Sequence, residues 1–339
     1  MASSAAEHPE AVDETILTLR KVLVNESEPL ARRFRALFSL KYVACLQPPT
    51  EKTLPAIQAI AAAFTSSSAL LKHELAYCLG QTRNPDAVSY LLEVVKNSRQ
   101  DAMCRHEAAE GLGALGFDSS LDILKALRDD ENEEDVIRET CDIAVDRILW
   151  ENSEEKKNEK LKPSDFTSID PAPPLPMASS QLIVSDLEKK LLDTNLPLFQ
   201  RYRAMFALRD LASPPDLPTA VEAVEALAKG LKDPSALFRH EVAFVFGQLS
   251  HPASVPSLTE TLSNQEEVGM VRHEAAEALG SLGDVEGVED TLRKFLNDPE
   301  QVVRESVIVA LDMAEFEKNG EMEYALVPGS VAPATVSAA

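Results

Sequence analysis

The sequence predicts an all-α protein, a solenoid of helical repeats. Two observations carry this: one short segment pattern recurs at nearly constant spacing, and several proline-containing breaks separate the helical stretches. A third is negative: no stretch of strand length alternates apolar with polar residues, so no sheet is expected.

The recurring segments read LKHELAYCLGQ around His73, CRHEAAEGLGAL around His106, FRHEVAFVFGQL around His240 and VRHEAAEALGSL around His273. Two more share the frame without the histidine, IRETCDIAVDRI at Arg138 and VRESVIVALDMA at Arg304, and the segments RFRALFSL from Arg33 and RYRAMFAL from Arg201 open the two sets. His73 and His106 are 33 residues apart, and so are His240 and His273. Matching segments of the two sets are offset by 168 residues at Arg33/Arg201, 167 at His73/His240 and 166 at Arg138/Arg304. The chain is therefore a duplicated array, four units followed by four.

Each unit reads as two helices. In the second unit, residues 54–64 form an apolar-rich helix, the serines at 66–68 a turn, and residues 70–81 the next helix; Asn84–Pro85 then breaks the chain before a helix over 88–96. Asp233–Pro234, His251–Pro252 and Asp298–Pro299 punctuate the second set in the same way. Helix pairs of this length, stacked in series, are HEAT-like repeats. The arrays are expected over residues 15–150 and 178–318. Between them, residues 151–177 are first charged and then rich in proline (Pro163, Pro171, Pro173, Pro174, Pro176), the composition of a flexible, partly extended tether. Residues 1–14 and 319–339 are expected to be disordered tails.

The charge balance narrows the function. The chain has 339 residues, 45% hydrophobic and 26% charged, with 56 acidic against 33 basic residues and a net charge of -23. A protein that grips a phosphate backbone needs a basic face, so nucleic acid is excluded as a partner; a cationic substrate fits the sign. No apolar run approaches the ~20 residues of a membrane helix, and the N-terminus carries no secretory pattern, so no membrane association is expected. Cys45, Cys78, Cys104 and Cys141 form no CxxC pair, which removes a zinc knuckle or dithiol redox site; reduced thiols in a cytoplasmic protein are expected.

The chemistry lies in four His-Glu pairs. There are only six histidines; His8 sits in the tail and His251 before Pro252, and the other four, His73, His106, His240 and His273, are each followed by glutamate in the same slot of their repeat. The outer units carry Phe34, Arg138, Tyr202 and Arg304 in that slot, so the pair is confined to the two inner units of each array. Stacked helices lie roughly 8–10 Å apart, which lets imidazoles at equal height converge on one ion. With two pseudo-symmetric halves facing each other, four histidines and Glu74, Glu107, Glu241 and Glu274 would meet in one metal cleft. That inventory suits two metal ions, each with two imidazoles and at least one carboxylate. Adjacent helical residues point about 100° apart, so Glu74 reaches an ion held by the opposite half more easily than its own, and Glu241 the reverse. Glu110 and Glu277, four residues after His106 and His273, share the histidines' face and serve as outer ligand-orienting groups, as amine contacts, or merely as exposed charges. Gly80, Gly113, Gly247 and Gly280, seven residues after the histidines, mark either close helix packing or a cavity below the metals.

Other motifs are missing. The fourth residues after the histidines are Tyr77, Glu110, Phe244 and Glu277, so no HExxH zinc-protease helix exists, and neither Glu-x-x-His nor a P-loop, GxGxxG or GxSxG stretch occurs.

With KHELAYCLGQ, RHEAAEGLGALG, RHEVAFVFGQL and RHEAAEALGSLG set in two four-repeat halves, residues 15–150 and 180–316 resemble the deoxyhypusine hydroxylase family. The resemblance implies a monooxygenase with two iron ions and O2 as co-substrate. It implies as partner the protein substrate translation initiation factor 5A, whose deoxyhypusine side chain, a lysine extended by an aminobutyl group, would be hydroxylated. It also implies the ligand sets His73, His106 and Glu241 for one iron and His240, His273 and Glu74 for the other, leaving Glu107 and Glu274 beside the site. No catalytic side chain beyond the metal site is then needed, and a monomer is expected. The alternative is a non-catalytic acidic HEAT-repeat adaptor that binds a basic protein.

Overall fold

The structure is a computed structural model, and it describes residues 13–159, 161, 164–176 and 183–319. Of the expected tails over 1–14 and 319–339, residues 1–12 and 320–339 lie outside these, as do residues 160, 162, 163 and 177–182, whereas Asp13 caps and Glu14 opens the first helix. Among the described residues no strand occurs, and the helices follow one another in pairs. The first four pairs are α1 (Glu14–Leu23) with α2 (Leu30–Ala44), α3 (Thr53–Ala61) with α4 (Ala69–Gly80), α5 (Val88–Lys96) with α6 (Ala102–Leu115), and α7 (Leu121–Asp129) with α8 (Asp135–Glu151). After the short α9 (Glu154–Asn158) come α10 (Val184–Leu192) with α11 (Leu198–Ala212), α12 (Ala220–Lys229) with α13 (Ala236–Leu249), α14 (Val255–Ser263) with α15 (Gly269–Gly280), and α16 (Val288–Arg293) with α17 (Gln301–Lys318). No described helix is long and apolar enough to cross a membrane.

The repeat pattern is explained by what its residues bond. Arg33, Arg105, Arg201 and Arg272 each donate from Nε to the carbonyl ten residues earlier, at the end of the first helix of their own pair, at 2.9–3.0 Å. The same guanidinium reaches a carboxylate in a loop: Glu26, Glu133, Asp233 and Asp298 respectively. One buried side chain thus fixes the angle within a pair. Arg105 and Arg272 directly precede His106 and His273, so the tie also sets the height of those imidazoles.

Helix starts are capped where the sequence supplies a cap. Ser68, Asp101 and Ser235 accept from the backbone N–H groups of Leu71, Met103 and Phe238 at 2.9–3.1 Å. Each cap lies five residues before a His of the pattern, which places that His in the second turn.

The glycines resolve to close packing. A Cβ on Gly80 would stand 2.5 Å from Gly111 Cα, on Gly113 3.0 Å from Ala144 Cα, and on Gly280 2.7 Å from Ala310 Cβ; on Gly247 the nearest atom is at an ordinary 3.5 Å. The missing side chains let neighbouring second helices of the stack approach.

The connecting segment differs from a free tether. Residues 164–176 have specific partners: Ile169 N–H donates to Gln81 Oε1 at 2.6 Å, Arg147 Nε to Asp170 O at 3.2 Å, and Leu175 N–H to Arg203 O at 3.1 Å. Arg209, fully buried, pairs with Asp170 at 2.7 Å, and Ala172 is buried. Its prolines limit the chain entropy lost on docking, and Asp170 supplies the countercharge that buried Arg209 requires. Composition alone could not show this. At the other end of the stack, Arg35 makes a bidentate pair with Asp312 at 2.8–3.0 Å, and Ser68 donates to Glu305 at 2.7 Å, so α17 packs on α2 and α4.

Candidate metal centre

Helices α4, α6, α13 and α15 bring the four pattern histidines together. The ring centroids of His73 and His106 are 5.5 Å apart, and those of His240 and His273 5.4 Å. Between the two arrays the rings are equally close: 5.9 Å for His73–His240, 5.2 Å for His73–His273 and 5.1 Å for His106–His240. All four are buried, His106 and His273 completely.

The carboxylates nearest the imidazoles are Glu107 and Glu274. Glu107 Oε2 lies 3.2 Å from His73 Nε2 and 3.6 Å from His106 Nε2; Glu274 Oε2 lies 3.3 Å from His240 Nε2 and 3.9 Å from His273 Nε2. In both cases the histidine of the neighbouring repeat is closer than the adjacent one, as the 100° step between helical neighbours requires. Glu110 and Glu277 are half-buried rather than exposed. Glu277 lies 3.6 Å from His273 Nδ1 and accepts from Ser306 at 3.1 Å. Glu74 and Glu241 are buried and line the same cavity, of about 260 Å³. Side-chain donor atoms that lie within 4.8 Å of one another occur in the sets His73–His106–His240, His240–His273–Glu274 and His106–Glu107–Glu110, so Glu74 and Glu241 are the two predicted ligands outside such a set.

Burial and mutual repulsion shift the titration of the groups around this cavity. Burial pushes the Glu74 carboxyl up to about 8, helped by the charge of Glu277, although Lys41 opposes it. Burial likewise raises Glu110 and Glu241, each helped by a neighbouring carboxylate, and Glu277. His106 and His273 are lowered, first by burial and also by the other imidazoles, although at His273 the charge of Glu274 opposes this. His73 goes the other way: burial lowers it, but Glu107 together with the charges of Glu74 and Glu274 more than compensates, and it reaches about 9.

The donor set fits a metal. Both ring nitrogens of His73, His240 and His273, and His106 Nε2, are buried without a hydrogen-bond partner, and so is Glu241 Oε1. Glu107 and Glu274 approach His73 and His240 at 3.2 and 3.3 Å, and only a protonated imidazole could donate to them; as lone-pair donors these nitrogens have no other partner. Buried polar atoms are rarely left so, and four imidazoles among six carboxylates are a borderline-to-hard donor set for first-row transition ions. Thr140 Oγ1 donates to Val136 O at 2.6 Å and faces His106 Nδ1 at 3.5 Å. It can therefore only accept from that ring, which leaves His106 Nε2 as the lone-pair donor toward the cavity. Sequence reasoning missed Thr140 and also Phe38, Lys41, Tyr77 and Phe244, which line the cavity. Tyr77 and Phe244 carry a signal in hindsight: they follow His73 and His240 by four residues, on the same helix face. A larger depression of about 650 Å³ near Arg239 and Glu267 holds none of these residues.

Fold and site together define a HEAT-repeat protein with a buried histidine–carboxylate centre. The HEAT-repeat family pattern matches residues 56–142 and 224–312. A deoxyhypusine hydroxylase of Aspergillus oryzae is 91% identical over 339 residues, 100% of both chains, and one of Aspergillus clavatus is 82% identical over 97% of this chain and 98% of its own. The structure of human deoxyhypusine hydroxylase in complex with glycerol superposes with a TM-score of 0.77 at 45% identity, covering 88% of this chain and 96% of that one. The chain belongs to the deoxyhypusine hydroxylase family. It is thus an enzyme, and the adaptor reading is set aside.

Proposed function

We propose that the protein hydroxylates the deoxyhypusine side chain of translation initiation factor 5A, in the cytoplasm, as an O2-dependent monooxygenase with two iron ions. The observation that carries the metal is the set of buried, unpartnered imidazole nitrogens. His73 and His106 with Glu241 would hold one iron, and His240 and His273 with Glu74 the other; the unsatisfied Oε1 of Glu241 supports its share. When bound, the iron pair supplies the electrons that activate O2 toward an unreactive C–H bond.

The chain's own residues do the rest. Thr140 fixes the tautomer and ring plane of His106. Glu107, Glu274, Glu110 and Glu277 exceed what two ions require and present negative charge to a substrate that carries protonated amines. Their helices hold them in place before the substrate arrives, which reduces the ordering cost of placing the target carbon. Burial of the cavity among α4, α6, α13 and α15 limits access of bulk water.

Metal analysis of native protein, with single His→Ala variants at His73, His106, His240 and His273, tests this reading. Each variant should lose iron and hydroxylation while its far-UV helical signal survives. Full iron content in any one of them would count against the centre.

A further inference from the structure

A second cavity, of about 500 Å³, adjoins the first, and Phe38, Lys41 and Tyr77 line both. These three therefore form the partition between the carboxylate chamber and an outer groove whose wall includes the exposed Tyr42. At the partition, Lys41 Nζ lies 4.3 Å from the Tyr77 ring centroid and 5.7 Å from that of Phe38. Phe244 meets Tyr77 edge to face with centroids 6.3 Å apart. Among the described residues Lys41 has no carboxylate or hydrogen-bond partner; its ammonium rests on aromatic faces alone.

The matching slot of the second array shows what the fold does with a cation it needs to satisfy. Arg209, 168 residues further on, is bound by Asp170 and Gln248 and stacks over Phe166 and Phe206. The connecting segment thus gives one member of the pair a bound carboxylate, whereas Lys41 faces the carboxylate chamber without an ion-pair partner among the described residues and rests on a ring that would accept any other ammonium equally well.

We propose that the face of Tyr77 is a specificity-determining site for a substrate ammonium at the threshold of the chamber, and that Lys41 occupies it until the substrate displaces it. This rests on deoxyhypusine as the substrate. That side chain carries two amines joined by a four-carbon segment: the terminal one enters the chamber of glutamates, and the inner one stops at Tyr77. An unmodified lysine has one ammonium and satisfies only one of the two places.

The test uses the iron-loaded full-length protein and a peptide bearing an aminobutyl-extended lysine, with Kd measured by calorimetry without O2 and turnover measured with O2. Lys41→Met should tighten binding by about 2- to 30-fold, the range of a cation–aromatic contact. Tyr77→Leu should weaken binding by a similar factor, and Tyr77→Phe should bind like the wild type. The decisive comparison is the cycle: in the Tyr77→Leu background Lys41→Met should bring no gain. A gain that persists there reports general charge attraction and overturns the proposal, as does weaker binding by Lys41→Met alone. Should Tyr77→Leu fail to fold, a peptide with CH2 in place of the inner amine poses the same question; the Lys41→Met gain should vanish for it, and an undiminished gain overturns the proposal. Wild-type, iron-loaded protein that neither binds nor hydroxylates the peptide refutes the functional reading itself, a result distinct from failure of the cycle.

Discussion

Gly80 faces Gly111 so closely that a Cβ on Gly80 would stand 2.5 Å from Gly111 Cα. The atom met is backbone, so nothing flexible can move aside, and α4 and α6 must separate to admit a methyl group. These two helices carry His73 and His106. Gly80→Ala should therefore destabilise the fold by about 1–3 kcal/mol, the usual cost of overpacking, and also lower iron content. Gly247→Ala provides the contrast, because its Cβ would meet Ala278 at 3.5 Å. There the gain of about 1 kcal/mol in helix propensity is unopposed, and urea unfolding should show equal or higher stability. Equal losses in the two variants would contradict the packing account.

Asp170 anchors the connecting segment. It pairs with Arg209 at 2.7 Å, and its carbonyl accepts from Arg147. Asp170→Ala leaves a buried guanidinium with Asp210 and Gln248 as its polar partners. Removing one partner of a buried pair costs about 3–5 kcal/mol; with Asp210 remaining, about 2 kcal/mol is expected. Limited proteolysis within 164–176 should become faster in step with the loss. Unchanged proteolysis would mean that the segment is held by its other contacts.

Glu26 gives the stability a defined acid dependence. Burial would raise its carboxyl, but hydrogen bonds from Ser67, Arg33 and Ser66 outweigh that and bring it down to about 2 from an ordinary 4.5. A carboxylate whose folded value is depressed stabilises the fold above its unfolded value and loses that contribution as pH falls through the folded one. The window is therefore about pH 4.5 down to about 2. The Glu26 side chain is 49% exposed, so solvent screening limits the contribution to about 1 kcal/mol or less. Glu26→Gln should unfold more easily than the wild type at pH 7, and the two urea curves should converge toward pH 2. A constant gap across that range would assign the effect to packing instead.

Much of this architecture is legible in sequence because duplication writes it several times. The His-Glu frame recurs, and its arginine ties, caps and glycines do the same physical work in several of the units. The convergence of His73, His106, His240 and His273 is legible for the same reason: equal slots on stacked helices place equal side chains at equal height. What is not legible is what happens once. Asp170 meets Arg209 across 39 residues of chain and Lys41 rests on Tyr77, and neither contact belongs to the repeat. The proline-rich composition of the connecting segment describes its unfolded preferences and is silent on its docking partners. Choosing among the six glutamates is equally beyond spacing, since all of them lie within a turn of a histidine.

That choice yields the last prediction. Glu107 and Glu274 are the carboxylates nearest to the imidazoles, at 3.2 and 3.3 Å, whereas Glu74 and Glu241 stand in the same cavity without such contacts. Proximity to protonatable nitrogens is what a carboxylate seeks when no cation neutralises the cavity. His73, raised to about 9 chiefly through Glu107 against the opposing effect of burial, is an example. A bound dication removes that motive, because it needs neutral imidazoles and charged carboxylates. On the proposed assignment Glu74 and Glu241, approaching from the array opposite to the histidines they would complement, would then be the ligands, and Glu107 and Glu274 would be released to hold substrate amines. Glu74→Gln and Glu241→Gln should lose iron. Glu107→Gln and Glu274→Gln should retain it and weaken binding of an aminobutyl-lysine peptide by about 1.5–3 kcal/mol, the range for hydrogen bonds to charged groups. Iron content by metal analysis and Kd by calorimetry separate the two pairs. Iron lost from Glu107→Gln and retained in Glu241→Gln would reverse the assignment and make the nearest carboxylates the ligands.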